Sequence, residues 1–458
     1  MNDSHSLPAE AGSHTGNEVL ERLFHLNANR TTVRTEIVAG VTTFLAMAYI
    51  IFVQPAVLSA AGMDFGAVMV ATCVASAIAT TLMGLLANYP IAVAPAMGHN
   101  FFFAFTVCVA MKVPWQIALG AVAIAGTLFV LTAGIGLRER LIVAIPASLK
   151  HAIAVGIGLL VALIGLQWGG LVADSPGTLV TLGKLSSPAA LLTLFGLLVI
   201  GILLARGLPG ALLVGIFIST AVGLATGMIH YQGFAGFPPS IAPTLFQLDL
   251  AGALSGAMVP VILVFFVLAL FDSVGTLVGV ANQAGLLRDG TLPRAPQALL
   301  ADAIGTIAGA LLGTSTVTAY IESSTGVSAG GRTGLANMVT AALFLLSLLF
   351  YPLVRMIGGG YPAGGSLVLY PIVAPALILV GALMMTGVRE IPWDDLTEAI
   401  PAFLTMVMMP LTVSITEGIA FGFISHAVLK LCTGRGREAH PIVYGCAALF
   451  VARYVWLM

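Results

Sequence analysis

Two carboxylic acids stand where acids are expensive. Asp272 follows the run PVILVFFVLALF, and Glu322 lies within TAYIESSTGVSAGG. An ionised side chain deep in hydrocarbon costs roughly a few kcal/mol unless it is paired, hydrated or protonated, so each acid needs a reason. One is chemical: such a carboxyl can take up and release a proton and can accept hydrogen bonds from the N–H groups of a polar ligand. The bland alternative is a carboxylate that caps a half-helix or meets a buried partner. Around them stand other candidates. Asn100 both donates and accepts; His99 beside it is a proton relay, a ligand donor or a satisfied packing residue. Thr276 lies one helical turn beyond Asp272 and shares its face, or spends its hydroxyl within the helix. Phe101, Phe102 and Phe103 offer a stacking wall for an aromatic ligand, or core packing. Ser323 follows Glu322 directly. Glu417, in SITEGIAFGF, is a third acid with a structural or gating part, while Asp302 and the Lys150–His151 pair sit near the starts of apolar runs and are read as capping or interfacial.

Composition defines what must position these residues. Of 458 residues 59% are hydrophobic and only 8% charged, against roughly a quarter charged in a soluble domain, so a water-soluble globule is excluded. With 18 Lys+Arg against 19 Asp+Glu there is no basic excess for a nucleic acid. Cys73, Cys108, Cys432 and Cys446 form no CxxC pair and read as packing residues. Walker A, Gly-x-Ser-x-Gly and HExxH patterns are missing from the sequence, which leaves ATP-driven transport and hydrolysis without a basis. Apolar runs from 36–58 to 440–457 predict about fourteen spans. Arg22, Arg30, Arg34, Arg138, Arg140, Lys150, Arg206, Arg288, Arg294 and Arg332 fall on one side with the polar N-terminus, the cytoplasmic side by the positive-inside rule. Lys430, Arg435 and Arg437 break the pattern unless 397–411 is a further partial span or the last helices are short.

The chain also repeats itself faintly. Aligning SAAGMD with NQAGLL sets Gly62 against Gly285, 223 residues apart, and the same offset sets Tyr49 against Asp272, His99 against Glu322 and Asn100 against Ser323. It pairs 148–168 with 371–391 and 189–206 with 412–429. Seven spans per half, an odd number, force opposite orientations. The third span of each half is broken: ANYPIAVAPAMGHNFFFAFT and GTSTVTAYIESSTGVSAGG. Backbone freed in this way survives only inside protein or beside a wet cavity, and a matched pair of such breaks points to a central site. Extended pieces are expected at Phe101–Phe103 and Val317–Tyr320, each followed by a half-helix with free N-terminal amides.

The stretches VAPAMGHNFFFAFTV, IPASLKHAIAVGIGLLVALIGL, LFDSVGTLVGVA, TAYIESSTGVSAGGRTGL and LTEAIPAFLTMVMMPLTVSITEGIAFGFISH resemble the AzgA-like adenine/guanine/hypoxanthine permeases of the nucleobase–cation symporter-2 (nucleobase:ascorbate transporter) group, from about residue 28 to 457. The resemblance implies an all-α polytopic membrane fold of about fourteen spans in two inverted seven-span repeats, with short strands in spans three and ten. It implies a cytoplasmic tail at 1–35, a core domain from 36–136 and 256–357, and a gate domain from 148–229 and 366–457. Asp272 and Glu322 match the acids of spans eight and ten, Asn100 matches the span-three Asn, and Thr276 replaces a His of the uracil branch. Gly98-His99-Asn100-Phe101 departs from the group's usual Gly-Leu-Asn-Ala. The expected protein is no enzyme. It is a transporter of the bacterial inner membrane that imports purine bases such as hypoxanthine, guanine or adenine with protons, by alternating access. Protons are the coupling ion, with no other cofactor and no metal, and a homodimer is compatible with the likeness. In that scheme Glu322, Asn100 and the half-helix amides meet the base edge, a Phe stacks on the ring, and Asp272 leads in carrying the proton, with Glu322 as the second proton-coupling acid. The alternatives are another nucleobase (uracil or xanthine), a small anion on the same fold, or a non-transporting receptor or scaffold.

Overall fold

In hydrocarbon an apolar run can satisfy its backbone only by helix formation, and the chain is built accordingly. The computed structural model describes residues 14–133, 145–287, 292–364 and 368–456. Arg138, Arg140, Arg288 and residues 1–13 of the N-terminal tail thus lie outside the described residues. In chain order the membrane-scale helices are α1 (Val33–Ser59), α2 (Phe65–Ala87), α3 (Met97–Ala110), α4 (Trp115–Thr132), α5 (Ala147–Trp168), α6 (Pro188–Ala205) and α7 (Ala211–Ala225). There follow α8 (Gly256–Gln283), α9 (Ala295–Leu312), the short α10 (Ser323–Ser328), α11 (Leu335–Gly358), α12 (Ala374–Met384), α13 (Leu396–Thr412), α14 (Ile415–Cys432) and α15 (Pro441–Trp456). Among the described residues nine helices are long and apolar enough to cross a membrane.

Packing sorts these helices. α9 lies against α2 and α4, and α11 against α1 and α2, whereas α5 lies against α12 and α13, and α6 against α7 and α12. Small residues set a close crossing in the second group: a Cβ on Gly381 of α12 would run into the Gly158 carbonyl oxygen of α5.

The last helices differ from the expected pairing. The segment 397–411 is a full helix, α13, so the counterpart of α6 is α13 at an offset of 208 (Pro188 to Leu396), and 189–206 does not pair with 412–429. The offset shrinks because the first half carries a long connection holding the hairpin β2 (Val172–Ser175) and β3 (Leu179–Leu182), while the shorter stretch 385–395, a 3-10 helix followed by a turn, joins α12 to α13. With α13 in place, Lys430 at the end of α14 returns to the end of the bundle where α5 begins, because Glu398 at the start of α13 binds both Lys430 (2.8 Å) and Ser148 (2.5 Å). The three basic residues then fall on the Lys150 side.

Each half contributes a three-residue strand, Val93–Pro95 (here β1) and Val317–Ala319 (here β4), paired antiparallel with Ala94 opposite Thr318. The first strand is not at Phe101–Phe103. Those residues are helical, since the chain turns into α3 at Met97, directly after the strand that ends at Pro95. The two strands stand 224 residues apart, and their contacts repeat as well as their positions. Thr80 of α2 donates its hydroxyl to Val93 O and accepts Val93 N–H (2.9 and 3.0 Å); Thr306 of α9 does the same for Val317 (2.7 and 3.3 Å). Tyr320 N–H reaches Ala92 O, and Ala96 N–H reaches Thr316 O, both at 2.9 Å. An inverted repeat is thereby visible bond by bond.

Candidate functional site

The strands end where the two half-helices begin, and the expected residues gather there. Glu322 directly precedes α10, and its Oε1 accepts the hydroxyl of Tyr49 at 2.7 Å. Tyr49 stands where α1 loosens into a turn between Met47 and Ile50. Asp272, midway along α8, accepts the Thr318 hydroxyl of β4 at 2.8 Å, and its Oδ2 lies 3.9 Å from Nδ1 of His99, in the first turn of α3. The offset of 223 maps Tyr49 onto Asp272 and His99 onto Glu322, so the two acid contacts are equivalents of one another with the roles of the halves exchanged. Asn100 and Ser323, also equivalent, both stitch the strands: Asn100 Oδ1 accepts the Ser315 hydroxyl, and Ser323 Oγ accepts Ala92 N–H at 3.0 Å.

Two cavities flank this crossing. One, of about 510 Å³, is lined by Asp272, Thr276, His99, Lys150 and His151; the other, of about 680 Å³, by Glu322, Ser324, Thr325 and the turn Gly207–Gly210. The Asp272 side chain is 43% exposed, so its carboxylate faces space and is not sealed in the packing. Each acid therefore looks into a cavity, but into neighbouring ones. Ile321 and Met384 line both.

Four of the eight candidates reach these cavities: Asp272, His99, Thr276 and Glu322. The other four, Asn100, Phe101, Phe102 and Ser323, are fully buried and line neither. The reason is helical geometry: successive residues turn by about 100°, so when the buried His99 faces the Asp272 cavity, Asn100 faces the strands and Phe101 the protein interior. Phe102 packs edge-on against Phe265, and Phe101 stacks on Phe105; Phe103 is equally buried. The stacking wall expected of these rings is thus spent on the core. Lys150 and His151, expected at the membrane edge, line the mouth of the Asp272 cavity.

Several polar groups escaped the sequence reading. Tyr49 looks like core in an apolar run, although the repeat offset named it as the mate of Asp272. Thr318 is marked only by its place in the short strand. Gln54 donates to Thr314 (2.9 Å) and Ser315 (3.2 Å), forming with Asn100 a wholly buried chain in which Gln54 Oε1 and Asn100 Nδ2 have no side-chain or backbone partner among the described residues. Glu417 turns out to be held by α15, through Arg453 at 2.7 Å and through Tyr454. Asp302 accepts the hydroxyl of Ser273 inside the α8–α9 contact. Among the described residues no group of three or more His, Cys, Asp or Glu is placed to hold a metal ion.

At the far end of α5 the same two helix groups are in contact. Phe105 of α3 meets Trp168 of α5 edge-on, and Trp168 packs against Tyr370 with ring centroids 4.3 Å apart. Thr106 donates to Val413 O at 3.1 Å. Thus α3 and its neighbours are sealed to α5 and α13–α14 at one end and separated by cavities at the other.

Known structures share this fold. The transmembrane domain of a cyanobacterial bicarbonate transporter, BicA, superposes with a TM-score of 0.61 at 16% identity, covering 84% of this chain and 97% of its own. The structure of SLC26A9 gives 0.62 at 12% identity, covering 95% and 73%. These likenesses concern the fold. In sequence, the adenine permease AdeP of Escherichia coli is 46% identical over 97% of both chains. The guanine/hypoxanthine permease PbuG of Bacillus subtilis is 45% identical over 96% of this chain and all of its own. A putative permease of Methanocaldococcus jannaschii is 50% identical over 96% and 98%. With a family model matching residues 34–421 as well, the chain belongs to the Permease family (Xan_ur_permease), among relatives named for adenine, guanine and hypoxanthine.

Proposed function

We propose that this chain is a secondary active transporter that takes up purine nucleobases together with protons, by alternating access across the bacterial inner membrane with its N-terminus in the cytoplasm. The observation that carries the reading is the placement of Asp272 and Glu322 in adjoining cavities at the crossing of the two strands, each beside a side chain from the opposite half. A purine is flat, with N–H donors and ring-nitrogen acceptors on its rim. Glu322, with one oxygen engaged by Tyr49, has its second oxygen for a ring N–H. Asp272 takes the proton, with the Thr318 hydroxyl able to turn from donor to acceptor as the acid is protonated. If bound proton and bound base favour the same state, each raises the affinity for the other by linkage. In this reading α1–α4 with α8–α11 act as a core and α5–α7 with α12–α14 as a gate. The cavities at the Lys150 and Arg206 end, opposite the Phe105–Trp168–Tyr370 seal, then correspond to the inward-open state.

Uptake of labelled hypoxanthine, guanine and adenine in a strain lacking its own carriers tests the proposal, at several pH values and with a protonophore. Accumulation that rises in acid and collapses with the protonophore is expected. A protein that moves sulfate or bicarbonate and no base would overturn it; the bicarbonate-transporter fold motivates that arm, and the two carboxylates, which repel an anion, argue against it.

A further inference from the structure

The Asp272 and Glu322 cavities share two apolar side chains, Ile321 and Met384, the residues common to both linings. They come from opposite helix groups. Ile321 projects from the turn between β4 and α10 and is 55% exposed, although Val317, Thr318, Ala319 and Tyr320 before it are buried. Its Cδ1 lies over Gly279 of α8, 3.8 Å from where a Cβ would stand. Met384 ends α12, and the close α5–α12 crossing fixes it: a Cβ on Gly158 would come within 2.7 Å of Met384 Cβ. An apolar branch held half-open between two acids leaves its hydrocarbon surface uncovered, and a ligand seated there would bury it.

We propose that Ile321 and Met384 form an apolar slot that grips the two faces of the planar base, so that its width and length set the preference for a bicyclic over a monocyclic base. This rests on the transport reading above and adds its size filter. A planar heteroaromatic has apolar faces and a polar rim; here the two aliphatic walls meet the faces, while Glu322 and Asp272 each belong to one of the two linings. Met384 rides on one helix group and Ile321 on the other, so the grip tightens or loosens as the groups shift. Met, unbranched and flexible, suits a wall that must follow a moving partner.

The test is transport of labelled hypoxanthine and labelled uracil by wild type, Ile321→Val, Ile321→Ala, Met384→Leu and Met384→Ala, with the inserted protein quantified for each. Removing methylenes from an apolar pocket commonly shifts discrimination by roughly ten- to 200-fold. Ile321→Ala and Met384→Ala should each raise the purine KM about tenfold or more with Vmax within about threefold, and should lower the hypoxanthine-to-uracil preference by at least fivefold. The Val and Leu variants should stay within about threefold of wild type in both measures. An unchanged KM and preference in both Ala variants refutes the slot while leaving the transport reading intact. A wild-type protein that moves no purine refutes the transport reading instead. If one Ala variant fails to insert, the other, on a different helix group, decides alone.

Discussion

Replacing Tyr49 by Phe removes one oxygen from a side chain that is 1% exposed and leaves its packing in place. That oxygen stands 2.7 Å from Glu322 Oε1, so the loss is one hydrogen bond to a charged group, worth about 1.5–3 kcal/mol. At about 1.4 kcal/mol per factor of ten, and with Glu322 no longer held in register for a ring N–H, the KM for the preferred base should rise about ten- to 100-fold. The equivalent contact in the other half provides an internal comparison. His99 Nδ1 lies 3.9 Å from Asp272 Oδ2, beyond hydrogen-bond length, so His99→Leu removes at most a water-mediated or screened interaction and should shift KM by no more than about fivefold. Both are read as initial rates of labelled-base uptake against concentration, normalised to protein in the membrane. A Tyr49→Phe protein with a KM within twofold of wild type, or a His99→Leu effect larger than that of Tyr49→Phe, would show that donor geometry at the acids does not govern base affinity.

Asp272→Asn keeps an acceptor for Thr318 but cannot carry a proton; it should retain exchange of labelled base across vesicle membranes within about threefold while losing accumulation driven by a pH gradient, and undiminished accumulation would remove Asp272 from the coupling. Gly326→Ala places a Cβ 2.0 Å from Thr43 Oγ1 and 2.6 Å from Ala39 O, driving α10 off α1; overpacking of this kind costs about 1–3 kcal/mol, so thermal unfolding in detergent should come several degrees earlier, whereas Gly445→Ala, with open space around it, should melt as wild type. At the aqueous end of α13, bonds from Thr397 and Arg435 hold the Asp395 carboxyl down at about 2, and Arg435 and Lys430 hold Glu438 at about 2. Because folding lowers both values from unfolded ones near 3.9 and 4.3, their contribution is complete above about pH 5 and fades as the pH falls toward 2. Arg435→Ala should flatten the acid limb of the melting curve between those limits and leave the curve's shape above pH 5 unchanged; an unaltered acid limb would show that the cluster is not coupled to folding.

The amino-acid sequence by itself determined the solvent, the helices, the two broken segments and the identities of both acids. These are consequences of local composition: a run of apolar residues dictates helix in lipid, and Asp272 and Glu322 stand out because little else near them is charged. The repeat offset carried further than its first use. Applied to Val317–Tyr320 it points to 94–97, within a residue or so of β1 at Val93–Pro95, whereas the Phe triplet drew attention to 101–103 through its chemistry alone. It also named Tyr49, which in a one-dimensional reading is only another aromatic among apolar neighbours.

What the tertiary structure alone decided was direction and partnership. Asn100 and His99 are adjacent in the chain, yet one is turned into the strand crossing and the other toward a cavity. Glu417 is neutralised by an arginine 36 residues later, on a helix outside the repeat. Ile321 and Met384, unremarkable as letters, become the shared wall of two cavities only once α8–α10 and α5–α12 face one another. The physical reason is common to all three: composition sets where a residue can sit relative to lipid, but which face of a helix meets which neighbour depends on the rotation and crossing of packed helices. Those are fixed by close contacts such as Gly158 against Gly381, between positions more than 200 residues apart.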